Sequence, residues 1–379
     1  MMGRTPFAGV AWQVLHYVEG LRRLGCEVHY VEDTGDWPYD PERNEITADS
    51  SYTVGYIART LGFLPEPVRW AYVAPERDVL GMTRRELLAV LGSADALLNL
   101  TGATVLREEH LQVPVRIYLE TDPVLPQIEI AQGRAFTIDL LAAHTHHFSY
   151  GERLGRPDCA VPVERFDYVA TRQPVVLDWW ESAAGAAAPK RPYTTIASWR
   201  QTGKDVEWGG ETYTWSKHHE FLRFLDLPER TGCNFELALA IDHEEDVQRL
   251  RSHGWAVVDG LALSHEIGPY RDYLRDSRAE FTVAKDQNVR LRTGWFSDRS
   301  ACYLASGRPV VTQNTGFEDV LPTGHGLFSF RTLDEAVAAI AEIEADYAAH
   351  AAAAREIAAD HFAAEAVLGR LLATAGLGP

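Results

Sequence analysis

Residues 281–311 read FTVAKDQNVRLRTGWFSDRSACYLASGRPVV and hold the most informative pattern in the chain. A short apolar run ends at Ala284 and predicts a buried strand. A helix is predicted from about Ser297 to Ser306, because Gly307 can end it and Pro309 can open the following strand. The pattern therefore predicts a strand, a helix and a second strand, a unit that is typical of parallel α/β sheets.

The start of the predicted helix suits a phosphate group. Unpaired N–H groups and the positive end of the helix dipole meet at a helix N-terminus. Arg299 falls in the first turn and adds a guanidinium that can donate two hydrogen bonds to a phosphate. An ordinary strand–helix–strand unit with a surface arginine explains the spacing equally well, so spacing alone leaves both interpretations open.

Short apolar runs alternate with helical patterns along the whole chain, which predicts the α/β class with parallel sheets. In the first half, a helix is predicted at Val10–Leu24 and strands at Glu27–Val31, Ala94–Leu100 and Val115–Leu119. In the second half, strands are predicted at Tyr193–Ser198, Phe235–Ile241, Trp255–Val258, Glu280–Ala284 and Pro309–Thr312.

A segment rich in alanine, glycine and proline, Ser182–Pro192, is the best candidate for a linker between the halves. We therefore expect an N-terminal domain over residues 1–180, a second domain over 193–345 and C-terminal helices over 346–379. A doubly wound domain usually begins with a strand, whereas here the turn-like segment Arg4–Gly9 comes first. We expect that the first strand is missing and that the native N-terminus starts upstream.

Composition disfavours several classes of protein. The 379 residues carry a formal net charge of −18, which disfavours a nucleic-acid-binding protein because phosphate neutralisation needs a basic surface. The apolar runs are too short for a membrane span. Four scattered cysteines without a C-x-x-C pair fit reduced thiols, so we expect a cytoplasmic protein without a disulfide framework or a zinc site.

The segment Ala305–Val311, which reads ASGRPVV, resembles the donor-binding segment of GT-B glycosyltransferases of the glycogen-synthase-like and CgeB-like type. Arg299 matches an arginine of that segment, and Thr315–Glu318 resembles the turn near the sugar. The resemblance implies two Rossmann-like domains with a cleft between them and C-terminal helices that cross back to the first domain. It also implies a nucleotide-diphosphate sugar as the donor substrate, with no other cofactor and no metal.

The resemblance is incomplete at a position that matters for the chemistry. Retaining members of the family carry a Glu-x7-Glu pair, and the two positions fall here on Gly294 and Cys302. The stereochemistry of transfer is therefore left open. A protein that binds a nucleotide sugar without transferring it is an alternative, and so is a nucleotide-sugar epimerase of the same fold.

Several residues fall on the donor-binding positions of these enzymes. Arg200 and Lys217 match the arginine and the lysine that hold the donor diphosphate, and Lys204 competes with Lys217 for this role. The insertion between them is predicted to be a hairpin that turns at Gly209–Gly210. Solvated surface cations are the alternative interpretation. The implied donor site comprises Gly9, Arg200, Lys204, Lys217, Gly294, Ser297, Arg299, Thr315 and Gly316.

Three residues of the first half are candidates for the general base that takes a proton from an acceptor hydroxyl group. Asp122 is the first choice and Asp33 the second, because each follows a predicted strand at the edge where α/β sheets bind ligands. His144 is the third, since histidine titrates in the right range. A cap or loop hydrogen bond is the alternative for each aspartate, and a structural role is the alternative for the histidine.

The sequence therefore predicts a metal-independent hexosyltransferase that acts on a hydroxyl group of a small-molecule or glycan acceptor. Its expected partners are the nucleotide-sugar donor and that acceptor, and a homodimer is compatible with the sequence. Glu120-Thr121-Asp122 also resembles the metal-binding motif of single-domain GT-A transferases. The two α/β series and the segment Gly307–Val311 disfavour that rival.

Overall fold

The structure is a computed structural model that describes residues 1–181 and 191–378. The predicted linker Ser182–Pro192 lies outside the described residues except for its last two positions. No helix in the described part of the chain is long and apolar enough to cross a membrane.

The first half of the chain alternates short strands with helices. Its helices are α1 (Ala8–Arg23), α2 (Ser51–Leu61), α3 (Arg84–Ser93), α4 (Glu108–Leu111), α5 (Leu125–Ala131) and α6 (Ala135–Ala142). Its strands are β1 (Tyr30–Glu32), β2 (Tyr39–Asp40), β3 (Glu45–Ile46), β4 (Trp70–Val73), β5 (Val79–Gly81), β6 (Ala96–Leu100), β7 (Val115–Glu120), β8 (His146–Ser149) and β9 (Val169–Ala170).

The strands of the first half form two main groups and a small β2–β3 ladder. β4 pairs with β1 in parallel and with β5 antiparallel, whereas β6, β7, β8 and β9 form a parallel sheet in that order. The predicted helix at Val10–Leu24 is confirmed as α1. The strands predicted at Ala94–Leu100 and Val115–Leu119 are confirmed as β6 and β7, with small shifts at their ends.

The strand predicted at Glu27–Val31 is displaced along the chain. β1 begins only at Tyr30, where the backbone first pairs with Trp70 of β4. Pro65 and Pro67 precede β4, and a proline has no N–H group with which to extend the ladder. The apolar pattern therefore predicted the strand, but it did not show that pairing with β4 begins only at Tyr30.

The second half carries the larger sheet. Its strands are β10 (Tyr193–Ser198), β11 (Val206–Trp208), β12 (Glu211–Tyr213), β13 (Phe235–Ala240), β14 (Trp255–Asp259), β15 (Ala279–Thr282), β16 (Val310–Gln313) and β17 (Leu327–Phe330). Its helices are α7 (His218–Phe221), α8 (Leu227–Thr231), α9 (Glu244–Ser252), α10 (Gly260–Ser264), α11 (Ile267–Asp276), α12 (Asp286–Arg290), α13 (Asp298–Ala305), α14 (Leu333–Ala345), α15 (Tyr347–Phe362) and α16 (Ala364–Thr374).

Six strands of the second half form one sheet in the order β14-β13-β10-β15-β16-β17, with every neighbouring pair parallel. In chain order this is 3-2-1-4-5-6, the arrangement of a doubly wound α/β sheet. All strands predicted for this sheet from β10 to β16 are confirmed. The predicted hairpin is also confirmed as β11 and β12, which pair antiparallel on either side of Gly209–Gly210.

The last helix crosses from the second half to the first, as the resemblance implied. α15 packs against α13 and β17, whereas α16 packs against α1. Where the two helices meet, Ala363 forms an isolated β-bridge with Val175. Leu368 and Leu371 of α16 enter a hydrophobic core together with Ile117 of β7. Burial of this apolar face therefore holds the C-terminus on the first half.

Candidate functional site

The carboxyl ends of β10 and β15 lie side by side where the strand order of the six-stranded sheet reverses. In doubly wound sheets the crevice at this position is where ligands bind. Arg200 follows the first of these strands and Lys285 the second. This edge of the sheet is therefore the candidate functional site.

The lysines of the chain are concentrated at this edge. The chain has four lysines, namely Lys190, Lys204, Lys217 and Lys285. The ammonium groups of Lys204 and Lys285 lie 4.4 and 3.1 Å from the ring centroid of Trp215. That of Lys217 lies 5.7 Å from the ring centroid of Trp295. Lys190 lies outside the described residues, so every lysine whose position is described belongs to this cluster.

Lys217 has no anionic partner of its own. It lies at the start of α7, half-buried, and no ion pair of its ammonium group occurs in residues 1–181 and 191–378. Burial, together with the nearby charges of Arg299 and Lys285, lowers the pKa of Lys217 to about 7, although the charges of Glu280 and Asp122 oppose this effect. A buried cation beside two others is unfavourable unless an anion joins them. The arrangement is therefore suited to a negatively charged ligand.

Lys285 and Trp295 join the two halves of the molecule. The ammonium group of Lys285 forms an ion pair with Asp122, which follows β7 of the first half. Burial lowers the pKa of Lys285 to about 8, although the charge of Asp122 opposes this effect. The indole Nε1 of Trp295 donates to the carbonyl oxygen of Thr121 at 2.9 Å. The lysine cluster therefore lies in a cleft between the two halves.

Arg299 lies in the first turn of α13, as predicted, but its nitrogens are already occupied. Nε donates to Oε1 of Glu280 at 2.6 Å, and the terminal nitrogens donate to the carbonyl oxygen of Ile196 at 2.6 Å and to Oγ1 of Thr282 at 3.0 Å. In this geometry Arg299 links β10 and β15 to the helix. It adds positive charge beside Lys217, and three of its five N–H groups are used in these hydrogen bonds.

Arg200 lies at the predicted edge and is paired with a carboxylate. Its guanidinium contacts Asp246 at 2.7 Å, and Nε1 of Trp199 donates to the same carboxylate oxygen at 2.7 Å. The side chain of Arg200 is 40% exposed, whereas that of Asp246 is 11% exposed. An anion can therefore reach the guanidinium from solvent, but it competes with a carboxylate that is mostly buried.

The predicted loop residues of the second half contact one another. The N–H of Gly294 donates to the carbonyl oxygen of Thr315 at 2.8 Å, and the N–H of Gly316 donates to Oδ1 of Asn314 at 2.8 Å. Ser297 directly precedes α13, and its hydroxyl makes no capping hydrogen bond. The structure thus brings Gly294, Ser297 and Thr315 together at the start of α13.

The N-terminal end of α1 faces α13 across the cleft. Gly9 packs against Tyr270 of α11, since a Cβ atom at Gly9 would lie 3.6 Å from the hydroxyl oxygen of Tyr270. One turn later, Nε2 of Gln13 donates to Oδ1 of Asp298 at 3.2 Å. Burial raises the pKa of Asp298 to about 6, whereas the hydrogen bond from Gln13 lowers it. Asp298 is therefore a titratable carboxyl group in the cleft.

Asp33, the second candidate base, lies in a separate cluster of the first half. Its carboxylate forms ion pairs with Arg107 and, at 3.2 Å, with Arg77. Asp33, Glu109 and His110 bring their ligand atoms within 4.8 Å of one another, which is close enough to surround a cation. However, Arg77 and Arg107 also pair with Glu109, so two guanidinium groups already neutralise both carboxylates. This geometry favours a structural ion-pair network.

His144, the third candidate base, is buried at 6% exposure. Its Nδ1 lies 2.9 Å from the carbonyl oxygen of Leu140 and its Nε2 lies 3.1 Å from Nδ2 of Asn99. The carbonyl oxygen requires a proton on Nδ1, so Nε2 accepts from the amide. Burial lowers the pKa of His144 to about 4. With both nitrogens occupied, the geometry favours a structural role.

Sequence patterns did not single out Lys285, Asp298 or Gln13 as site residues. The scarcity of lysine was the available signal for Lys285, because a residue type that is rare elsewhere stands out where it clusters. Asp298 is adjacent to Arg299 in sequence, but its direction depends on how α1 packs against α13. That packing depends on contacts between distant parts of the chain, which periodicity does not reveal.

Comparison with known proteins adds information on the fold. No family model matches the chain, and no curated protein matches it. An α-glucosyltransferase in complex with UDP-glucose and DNA containing an abasic site is similar, with a TM-score of 0.59 and 11% identity over 97% of this chain and 96% of that chain. AviGT4, a glycosyltransferase involved in avilamycin A biosynthesis, gives a TM-score of 0.54 and 16% identity over 96% and 88%.

A third similar structure is HepE of Anabaena in complex with UDP and glucose, with a TM-score of 0.52 and 12% identity over 92% of this chain and 99% of that chain. These likenesses extend over both halves of the chain. The chain therefore has the GT-B fold of glycosyltransferases.

Proposed function

We propose that the protein is a glycosyltransferase that binds a nucleotide-diphosphate sugar at the lysine cluster and transfers the sugar to a hydroxyl group of a small-molecule or glycan acceptor. The observation that supports this most directly is the cluster of Lys204, Lys217 and Lys285 at the reversal of strand order. A diphosphate would give Lys217 the direct ion pair that it does not form in the described part of the chain.

The cations also have a role in the transfer step. The bond between the sugar C1 and the phosphate oxygen breaks, and its electron pair leaves with the nucleoside diphosphate. Negative charge therefore grows on the diphosphate in the transition state, where fixed cations stabilise it. In this proposal Lys217 contacts the diphosphate directly. Arg299 lies near Lys217 and stabilises the diphosphate through its positive charge. The acceptor enters from the first half, near Gly9 and Asp122.

We further propose that hexosyl transfer needs no metal ion, because the lysines and Arg299 supply the charge that a divalent cation would otherwise provide. The segment Glu120-Thr121-Asp122, which resembles the metal-binding motif of GT-A transferases, supports this because its two carboxylates bind different partners. Glu120 is buried and accepts hydrogen bonds from Gln127 at 2.8 Å and Ser149 at 2.7 Å. Asp122 instead pairs with Lys285. A cytoplasmic location and a homodimer remain part of the proposal.

A nucleotide-sugar-binding protein without transferase activity is the second candidate. The position of the second glutamate of the retaining families is held by Cys302, which is buried and lies 3.8 Å from Nε2 of His16. By the family resemblance, that glutamate contacts the ribose of the nucleotide, and a thiol cannot accept hydrogen bonds from ribose hydroxyl groups as a carboxylate does. Incubation of the donor with an acceptor library separates the candidates, since the binding protein would leave the donor intact. An epimerase would convert the donor without any acceptor.

Nucleotide binding provides the first test. UDP-glucose is the first donor to try, because similar structures contain UDP or UDP-glucose. Isothermal titration of UDP at pH 7.5, in two buffers of different ionisation enthalpy, should reveal proton uptake. The reason is that a bound diphosphate raises the pKa of Lys217 from its value near 7. GDP, ADP and TDP complete the panel.

The variant Lys217→Met should weaken nucleotide binding at least about tenfold and reduce the proton uptake to the smaller part that Lys285, with a pKa of about 8, contributes. Arg230→Met is the matched control, because it removes a surface cation that forms an ion pair with exposed Asp334. It should leave both quantities unchanged. If none of the nucleotides binds the wild-type protein at millimolar concentration, the proposed function is wrong.

A further inference from the structure

Two carboxyl groups face the cleft, and their surroundings differ. The carboxylate of Asp122 is held by the ammonium group of Lys285. Asp298, the first residue of α13, is partly exposed and forms no ion pair in the described part of the chain. Its Oδ1 accepts a hydrogen bond from Nε2 of Gln13 at 3.2 Å. A pair of carboxyl groups in unlike surroundings is a common basis for a division of catalytic roles.

We propose that Asp298 accepts the proton of the attacking hydroxyl group and that Gln13 positions its carboxylate. This inference rests on the proposed glycosyltransferase function and assigns a catalytic residue to it. The O–H bond of the acceptor breaks and its proton moves to a carboxylate oxygen of Asp298. The acceptor oxygen bonds to C1 of the sugar as the C1–phosphate bond breaks, and the electron pair leaves with the nucleoside diphosphate beside Lys217.

The position of Asp298 places it where both substrates must meet. It adjoins Arg299, whose charge lies near that of Lys217. On its other side it contacts Gln13 of α1, a helix of the half from which the acceptor is proposed to enter. Asp298 therefore lies between the donor charges and the acceptor side, as a general base must.

The other groups around Asp298 are less suited to accept a proton. The hydroxyl groups of Tyr17 on α1 and Tyr150 after β8 bind each other at 2.8 Å, and burial raises the pKa of each. On α13 itself, Cys302 is buried with a raised pKa, and Arg299 is a cation. From the loop after β7 comes Asp122, which is engaged by Lys285.

The electrostatics agree with a base that works near neutrality. Burial, with a contribution from the charge of Asp122, raises the pKa of Asp298 to about 6. The carboxylate form therefore predominates at pH 7, yet it binds a proton more strongly than an ordinary aspartate does. The hydrogen bond from Gln13 opposes the rise, and so keeps the carboxylate ionised at neutral pH.

The test uses the full chain and UDP-glucose, with UDP release to water as the reaction. Because kcat/KM reports the free enzyme, its pH profile should fall below pH 6 as Asp298 is protonated and above pH 7 as Lys217 loses its proton. Asp298→Asn should lower kcat by about 100-fold or more while UDP still binds. Direct displacement predicts that the glucose released first has the β configuration.

A second variant reports on the pKa without removing the base. Gln13→Met removes the hydrogen bond that stabilises the carboxylate, so the acidic limb should move to higher pH while activity at pH 8 persists. Asp334→Asn is the matched control for Asp298→Asn, since Asp334 also lies in the first turn of a helix, α14, and is 84% exposed. Its profile should match that of the wild type.

The outcomes distinguish failure of the base assignment from failure of the proposed glycosyltransferase function. If wild-type protein releases UDP, and Asp298→Asn does so at the same rate with the same acidic limb, the base assignment is overturned while the proposed function stands. An acidic limb that does not move in Gln13→Met would also overturn it. If the wild-type protein binds none of UDP, GDP, ADP and TDP and releases none of them from the corresponding nucleotide sugar, the proposed function fails and the base assignment falls with it.

Discussion

The buried pair of Arg299 and Glu280 connects stability to the candidate site. The carboxylate of Glu280 is completely buried, and the side chain of Arg299 is 12% exposed. Loss of one member of such a pair leaves a buried charge without compensation, whereas loss of both members costs much less. A substitution at Arg299 therefore affects the fold before it affects a ligand.

We predict that Arg299→Met lowers the free energy of unfolding by about 3–5 kcal/mol, the usual cost of an uncompensated buried charge. The double variant Arg299→Met/Glu280→Gln should recover a large part of this loss, because no unpaired carboxylate remains. Urea unfolding at pH 7.5 measures both. Nearly additive losses would show that the two side chains act independently, and nucleotide affinity is best compared in the double variant.

For single residues, the sequence predicted the place of a residue in its helix or strand better than the contacts of its side chain. The helix start correctly located Arg299 in the first turn of α13. That its nitrogens turn inward to Glu280, Ile196 and Thr282 depends on strands distant in the sequence. For the same reason the ion pair of Asp122 with Lys285 could not be read from the spacing of either strand.

Among the elements, the β11–β12 hairpin lies against both halves. Nε2 of Gln132, just after α5, donates to the carbonyl oxygen of Glu207 at 3.0 Å. On the other side, the guanidinium of Arg290 lies 4.2 Å from the ring centroid of Tyr213. Lys204 and Trp215 flank the hairpin in sequence, so its order is coupled to the lysine cluster.

The turn of this hairpin offers a test of that coupling. Gly209 and Gly210 have φ values of 61° and 83°, and neither has an atom within 4 Å of an added Cβ, so only backbone strain is at issue. Gly209→Val should destabilise the turn by about 1–2 kcal/mol, because a side chain disfavours the left-handed region. We expect faster hydrogen exchange over residues 206–213 and weaker UDP binding.

Gly209→Asn is the matched control, because asparagine tolerates this conformation and Asn-Gly is the preferred pair for such a turn. It should keep the exchange rates and the UDP affinity of the wild type. If Gly209→Val loosens the hairpin but leaves UDP affinity unchanged, the hairpin is not coupled to the lysine cluster.

The elements of the two halves were not equally predictable. Most positions of the cited strands of the six-stranded sheet are buried, each strand contains a run of apolar or β-branched residues, and these strands were predicted with small shifts. In the first half, β8 (His146–Ser149) is polar in sequence and is held by pairing with β7. This strand was not predicted, because no periodic pattern in its sequence indicated one.

For the molecule as a whole, the contact of α16 with α1 connects the end of the chain to its beginning. Gly20 of α1 lies directly beneath α16, and a Cβ atom there would lie 2.6 Å from Cδ1 of Leu368 and 2.9 Å from Cβ of Ala364. The leucine tip can rotate away, but the alanine Cβ is fixed to its backbone. Close approach of the two helices therefore requires glycine at this position.

Gly20 of α1 and Gly92 of α3 both lie in helices, but only the first is crowded by a neighbouring helix. In an exposed helix, glycine to alanine stabilises by up to about 1 kcal/mol, and Gly92 of α3 has open space around it. We expect Gly92→Ala to raise the midpoint of urea unfolding and Gly20→Ala to lower it, because α16 must move away from α1. If Gly20→Ala were as stabilising as Gly92→Ala, α16 would not pack tightly enough on the first half to hold the two halves together.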